Sequence, residues 1–226
     1  MTEQARLFEP PVQVMDGPPV LTAYVGKNAG LFAQIMRLYV PEGSDVLDMT
    51  YGLGNFWDSP GIKDRYRLVS MDMERGGVMV HGMLEYPPFK PESFDCVVLD
   101  PPYANHGAAH TTPMKESIAS TYNLKAGTDS RTVYLMYRQG IYAAAALLTA
   151  GGSLLVKCQD HIESGRQHWA FQYVLSMGLT AGLEAVDLFV LVQDGIPAMR
   201  HPYQKHARKN HSYFWVFHKS ASSDAV

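Results

Sequence analysis

Apolar residues in this chain come in short runs broken by turn residues, at 45–48, 66–72, 94–100, 153–157, 187–193 and 212–217, and each run predicts a strand. Between these runs the apolar spacing shifts to the helical period. Leu31, Ile35 and Leu38 mark a helix over 28–40, which Pro41 and Gly43 stop. A second helix, 131–148, has Ser130 as its cap, Tyr134, Tyr137, Ile141 and Leu148 as its buried face, and Gly151 beyond its end. A third, 166–177, turns Trp169, Tyr173, Val174 and Met177 inward, with Gly178 as its left-handed stop.

Strands alternating with helices predict an α/β fold: a mostly parallel sheet, helices on both faces, and ligands bound beyond the carboxyl ends of the strands. No helical pattern lies between 193 and 212, so the last two strands are expected to pair as a C-terminal antiparallel hairpin at one sheet edge. With 226 residues, 46% hydrophobic and 18% charged, the chain reads as one domain over 1–226. Pro10, Pro11, Pro18 and Pro19 make 1–23 an extended arm. No internal repeat is present.

Charge and cysteine usage narrow the classes of function. The amino terminus lacks the apolar run of a secretory signal and no stretch stays apolar for the roughly 18 residues of a membrane span, so a cytoplasmic protein with no membrane partner is expected. Only Cys96 and Cys158 occur, which argues against a disulfide framework. A formal net charge of −3 excludes a general basic coat for nucleic acid. The local exception is 200–211, where Arg200, Lys205, Arg208 and Lys209 stand with three histidines and no acid. His106 with His110, and His206 with His211, are irregularly spaced and lack a supporting cysteine or carboxylate set, so no metal site is expected.

Two segments carry candidate chemistry. Asp45-Val46-Leu47-Asp48-Met49-Thr50-Tyr51-Gly52-Leu53-Gly54 is a strand entering a glycine turn, where a backbone can approach a ligand closely. The third small residue of a dinucleotide fingerprint is replaced by Trp57, which weakens a dehydrogenase reading. The following strand delivers Asp72 to its carboxyl end, where a carboxylate can accept both hydroxyls of a ribose. The strand at 94–100 then runs into Asp100-Pro101-Pro102-Tyr103. Prolines stiffen this segment and donate no backbone hydrogen, so its carbonyls can accept from a ligand beside the Asp100 carboxylate. An aromatic amine held by two such acceptors turns its lone pair towards an electrophile, and Tyr103 offers a face for a planar ring. A rigid turn would use the same prolines.

Together the glycine turn, Asp72 and Asp100-Pro101-Pro102-Tyr103 resemble the class I S-adenosylmethionine-dependent methyltransferases, in the amino-methylating branch that includes DNA adenine-N6 and cytosine-N4 methylases. The resemblance covers about residues 24 to 218. It implies a Rossmann-like fold with a seven-stranded sheet, S-adenosylmethionine as cofactor, and DNA, or alternatively RNA, as partner. By this likeness Lys27, Asn28, Asp48, Thr50, Gly52, Gly54, Asp72, Met73 and Met83 would line the cofactor, although many relatives have an acid where Met83 stands. Asp100, Pro101, Pro102 and Tyr103 would engage the target amine, and Asp before Pro-Pro-Tyr favours adenine in that family. Carbon-5 cytosine chemistry needs a cysteine in the loop, and Cys96 lies within the strand.

No separate recognition domain fits in this length, so 104–130 and 197–211 become the recognition loops, with His106, Arg208 and Lys209 as substrate contacts. Specificity could also come from a partner or a homodimer. Three alternatives stay open: an RNA base methyltransferase using an already unpaired nucleotide, a catalytically silent nucleic-acid-binding subunit, and a protein-glutamine methyltransferase, whose family usually has Asn in the place of Asp100.

Overall fold

The computed structural model describes residues 19–73, 77–101, 130–193 and 205–220. Every strand expected from the sequence is present: β2 (Asp45–Asp48), β3 (Arg67–Asp72), β5 (Phe94–Leu99), β6 (Leu148–Cys158), β9 (Glu184–Val192) and β10 (His211–His218). With β1 (Ala23–Val25) and β4 (Val80–His81) they form an eight-stranded sheet in the order β1-β9-β10-β6-β5-β2-β3-β4. In this sheet β10 alone runs antiparallel to both neighbours, β9 and β6. Among the described residues the sheet therefore has eight strands rather than seven. The edge strand β1 begins at Ala23, the last residue of the stretch read as an extended arm; it pairs in parallel with β9 and covers the edge expected for the hairpin. Residues 1–18 of that arm lie outside the described residues.

Alternation along the strands divides the apolar residues between two cores. Val46, Cys96, Val98, Leu155, Phe214 and Val216 face helix α1 (Asn28–Tyr39), which contributes Leu31, Phe32, Ile35 and Met36. Leu47, Val97, Leu99, Leu154, Val156 and Phe217 face α2 (Ser130–Leu147) and α3 (Ala170–Thr180). Helices thus cover both faces, and both sides of β5 and β6 are buried, as parallel strands at the centre of a sheet require.

The third helix departs from its sequence expectation at both ends. Ser164 and Gly165 adopt positive φ of 49° and 75°, closing a two-residue turn between β7 (His161–Glu163) and β8 (Arg166–His168). Residues 166–168 are therefore strand, and Trp169 is the N-cap of α3 rather than part of its inner face, with 51% of its surface exposed. Gly178 is not the stop either. It lies inside α3 where a Cβ would run into the Phe217 ring, so its role is close helix-to-sheet packing, and Gly182, at φ 81°, supplies the left-handed residue. The connection from β3 to β4 spans only 73–79.

Candidate active site

Because β2, β3 and β5 are parallel neighbours, their last residues share one edge of the sheet. That edge gathers Asp48, Asp72 and Asp100. Asp48 is 2% exposed and has both oxygens engaged: Oδ1 accepts the Thr50 N–H at 3.0 Å and Oδ2 accepts the Trp57 indole N–H at 2.8 Å. Burial pushes its carboxyl up to about 7, against the lowering effect of these two bonds, and the charges of Asp100 and Asp72 push in the same direction as burial. Its geometry makes Asp48 a brace of the turn.

The turn itself is held from three sides. Gly52 donates its N–H to Asp72 Oδ2 at 3.1 Å, and Tyr51 donates to the Met71 carbonyl at 3.0 Å. Gly54 sits at φ 74°, and a Cβ there would stand 2.6 Å from the Tyr51 hydroxyl, which is folded beneath it. Thr50 reaches sideways: its Oγ1 accepts the Asp100 N–H at 2.7 Å, tying the glycine turn to the Asp-Pro segment. The site thus has a fixed frame of backbone and short side chains.

Lysine 157, which the sequence reading took only as a strand end, belongs to this site. Leu99 pairs with Val156, so the next position along the two parallel strands sets Asp100 beside Lys157. Lys157 is 5% exposed, its Nζ lies 3.5 Å from Asp100 Oδ2, and the rings of Phe56 and Phe214 stand 5.5 and 6.0 Å from the ammonium. A buried cation between two rings and a carboxylate is well compensated. Its signal in the sequence is a lone lysine in the apolar run Leu154-Leu155-Val156-Lys157-Cys158.

The other sequence candidates distribute as follows. Lys27 is exposed at the N-cap of α1, and its carbonyl accepts from Gly30 and Leu31. Asn28 opens α1, four residues before Phe32, whose ring packs on Phe56 and Trp57 at 4.9 Å each. The Asn28 Oδ1 is buried without a hydrogen-bond partner among the described residues. Met73 packs on the core just after β3, while Met83 is 38% exposed in a bridge to Tyr86. Pro101 is buried, whereas Pro102, Tyr103 and His106 lie outside the described residues.

The pairing of β9 and β10 brings 205–210 of the basic segment to the same edge, with Gln193 N–H donating to the Asn210 carbonyl at 2.8 Å. Lys209 lies over the exposed Trp169 ring at 5.5 Å, and Arg208 is half-buried. Beside them β7 and β8 project His161, Glu163 and His168, which the sequence reading did not weigh; the signal was Ser164-Gly165 between two short polar runs. Cys96 is fully buried and burial pushes its thiol well up, leaving it unsuited as a nucleophile. Among the described residues no helix is long and apolar enough to cross a membrane.

No protein-family model matches the chain, and no curated protein matches its sequence. Solved structures share its architecture. A candidate methyltransferase from Bacillus halodurans aligns with a TM-score of 0.53 at 15% identity, over 84% of this chain and 98% of the other. TrmN from Thermus thermophilus gives 0.51 at 18% identity, over 84% of this chain and 48% of the other. The [4+2]-cyclase SpnF gives 0.53 at 13% identity, over 86% and 82%. At such identities the likeness establishes the Rossmann-like class I methyltransferase fold. A cyclase among the neighbours means that the reaction has to be argued from the site.

Proposed function

We propose that this chain binds S-adenosylmethionine and methylates an exocyclic amino group of a nucleic-acid base, with adenine N6 in DNA as the favoured target. The observation that carries the reading is the convergence of Asp48, Asp72 and Asp100 at the ends of three adjacent strands, with the Asp100 N–H fixed on Thr50 of the glycine turn.

The residues fit the cofactor in chemistry and in shape. A carboxylate has about four acceptor positions, so Asp72 can brace Gly52 and still accept ribose hydroxyls. The orphaned Asn28 Oδ1 is an acceptor suited to the ammonium of the methionine portion, and the glycine turn removes side chains from its path. When bound, S-adenosylmethionine would supply a methyl group on a sulfonium. Asp100 then accepts a hydrogen of the target amine, orients the nitrogen lone pair, and takes the proton that the methylated nitrogen sheds. Lys157 fixes the rotamer of Asp100 and balances its charge. In this reading 1–226 acts as one domain, Pro101, Pro102 and Tyr103 complete the amine pocket, His106 touches the substrate, and Arg208 and Lys209 meet phosphates at the rim.

Labelled methyl transfer from S-adenosylmethionine to unmethylated genomic DNA and to total RNA, followed by nucleoside digestion and mass identification, tests the proposal. Label in N6-methyldeoxyadenosine is the expected result. Label confined to ribonucleosides would move the substrate to RNA. Absence of label despite cofactor binding would favour a silent or partner-dependent subunit.

A further inference from the structure

A second cluster of side chains lies outside the proposed amine pocket, on the small hairpin that follows β6. Residues i and i+2 of a strand share one face, so His161 and Glu163 project to the same side of β7. In the antiparallel register His168 of β8 stands directly opposite His161. Two imidazoles and one carboxylate therefore meet on one face of a tight two-residue hairpin. The imidazoles lie nearly parallel, with centroids 5.0 Å apart and 9° between planes, and His168 Nε2 is 3.7 Å from Glu163 Oε2. One ligand atom from each of the three side chains lies within 4.8 Å of those of the other two.

At the hub of the cluster is Ser130, the first residue of α2. Its hydroxyl contacts His161 Nε2 at 2.9 Å and donates to Glu163 Oε2, while its N–H donates to both Glu163 oxygens at 3.3 Å. All three side chains of the triad are half-buried.

We propose that His161, Glu163 and His168 form a binding site for one divalent transition-metal ion, Zn(II) being the best match, at the place where the Ser130 hydroxyl now gathers the ligand atoms. Two imidazoles and a carboxylate are a donor set for Zn(II), Co(II), Ni(II) or Fe(II) rather than for Mg(II) or Ca(II). With bonds of about 2.0–2.1 Å a tetrahedral ion sets its ligands about 3.4 Å apart, so capture needs side-chain rotation and no change in backbone register. The Ser130 oxygen or a water completes the shell. The ion would fasten the hairpin to the start of α2, the point at which the chain emerges from 102–129. It would also order the neighbouring Tyr134 and Trp169 surface, since the His168 ring lies 6.3 Å from that of Tyr134. The site is independent of the cofactor frame and of the proposed activity.

The test is titration of the chelator-stripped full-length chain with Co(II), read by its visible ligand-field absorption, followed by displacement with Zn(II) and by thermal melts with and without Zn(II). One Co(II) per chain, discharged by one equivalent of Zn(II), with a raised melting temperature, is expected. His161→Ala and the milder His168→Gln should each weaken binding by more than about 100-fold, beyond the range of losing an outer-sphere partner, and abolish the melting shift. A His106→Ala/His110→Ala chain should bind as the parent does. Failure of the parent chain to take up one equivalent would overturn the site. Uptake unchanged by His161→Ala or His168→Gln, or lost with the His106 and His110 pair, would overturn it equally.

Discussion

On one flank of Asp100 the structure is braced by backbone groups and close neighbours in sequence; on the other it depends on side chains brought together from afar. Asp48 is bonded to Thr50 and Trp57, two and nine residues away, and Gly52 to Asp72, twenty away. Across Asp100, Lys157 comes from β6, Ser130 meets His161 and Glu163 from 31 and 33 residues away, and Lys209 reaches Trp169 from β10. A frame of local backbone bonds is rigid because each bond costs little chain entropy to close. Side chains spread over several elements can change without disturbing that frame. Under the proposed function, one fold can thereby keep a cofactor site constant while its substrate edge diverges.

The sharpest way to break this contrast is at the buried pair. Lys157→Met keeps the bulk of the side chain and removes its charge, so the Asp100 carboxylate loses the ammonium that lies 3.5 Å from its Oδ2. A fully buried pair broken in this way costs about 3–5 kcal/mol; with Asp100 still 23% exposed, solvent screening reduces the expected loss to about 2 kcal/mol. Urea unfolding at neutral pH measures it, and an unchanged midpoint would remove Lys157 from the account.

A second test addresses the local frame. The folded-state carboxyl of Asp48 titrates at about 7, above the ordinary aspartate value of about 3.9 that it regains on unfolding. Between those values the folded chain holds a proton that the unfolded chain has released, so Asp48 makes stability fall as pH rises through that window and level off above it. The difference between wild-type and Asp48→Asn unfolding curves should show this decline. A flat difference from pH 4 to 8 would contradict the burial of the group.

The smallest effect is expected at the rim. Lys209→Ala removes an exposed cation–π contact, so unfolding should change by no more than about 0.5–1 kcal/mol. Nucleic-acid affinity should fall a few-fold, and the slope of log affinity against log salt should shrink by about 0.9 if one phosphate contact is lost. An unaltered slope would move the strand elsewhere.

The same contrast explains how far the sequence could be read. The six main strands, α1 and α2 follow from hydrophobic period alone, and the glycine turn with Asp72 and Asp100 is legible because its parts lie at the ends of three of those strands. Lys157 was missed because nothing local marks a strand lysine as the partner of an aspartate in another strand. Strand β8 falls inside the helix expected over 166–177, and β7 before it carries no expectation, because Arg166, Gln167 and His168 have no periodic apolar signal and only Ser164-Gly165 marks the turn. Gly178 was misread for a related reason: a glycine needed for contact with Phe217 looks the same in sequence as one needed for a left-handed stop. The edge strand β1 is three residues long and gains its order from β9.

The central claim is that Asp100 serves the target amine, while the braced turn serves the cofactor. The most direct measurement is S-adenosylmethionine affinity by calorimetric titration, set beside methyl transfer, for Asp100→Ala and the parent chain. The account predicts transfer reduced by at least about 10²–10³-fold, the scale of removing one preorganised electrostatic group, with cofactor affinity within a factor of about two. Near-normal transfer, or a loss of transfer matched by an equal loss of cofactor affinity, would contradict it.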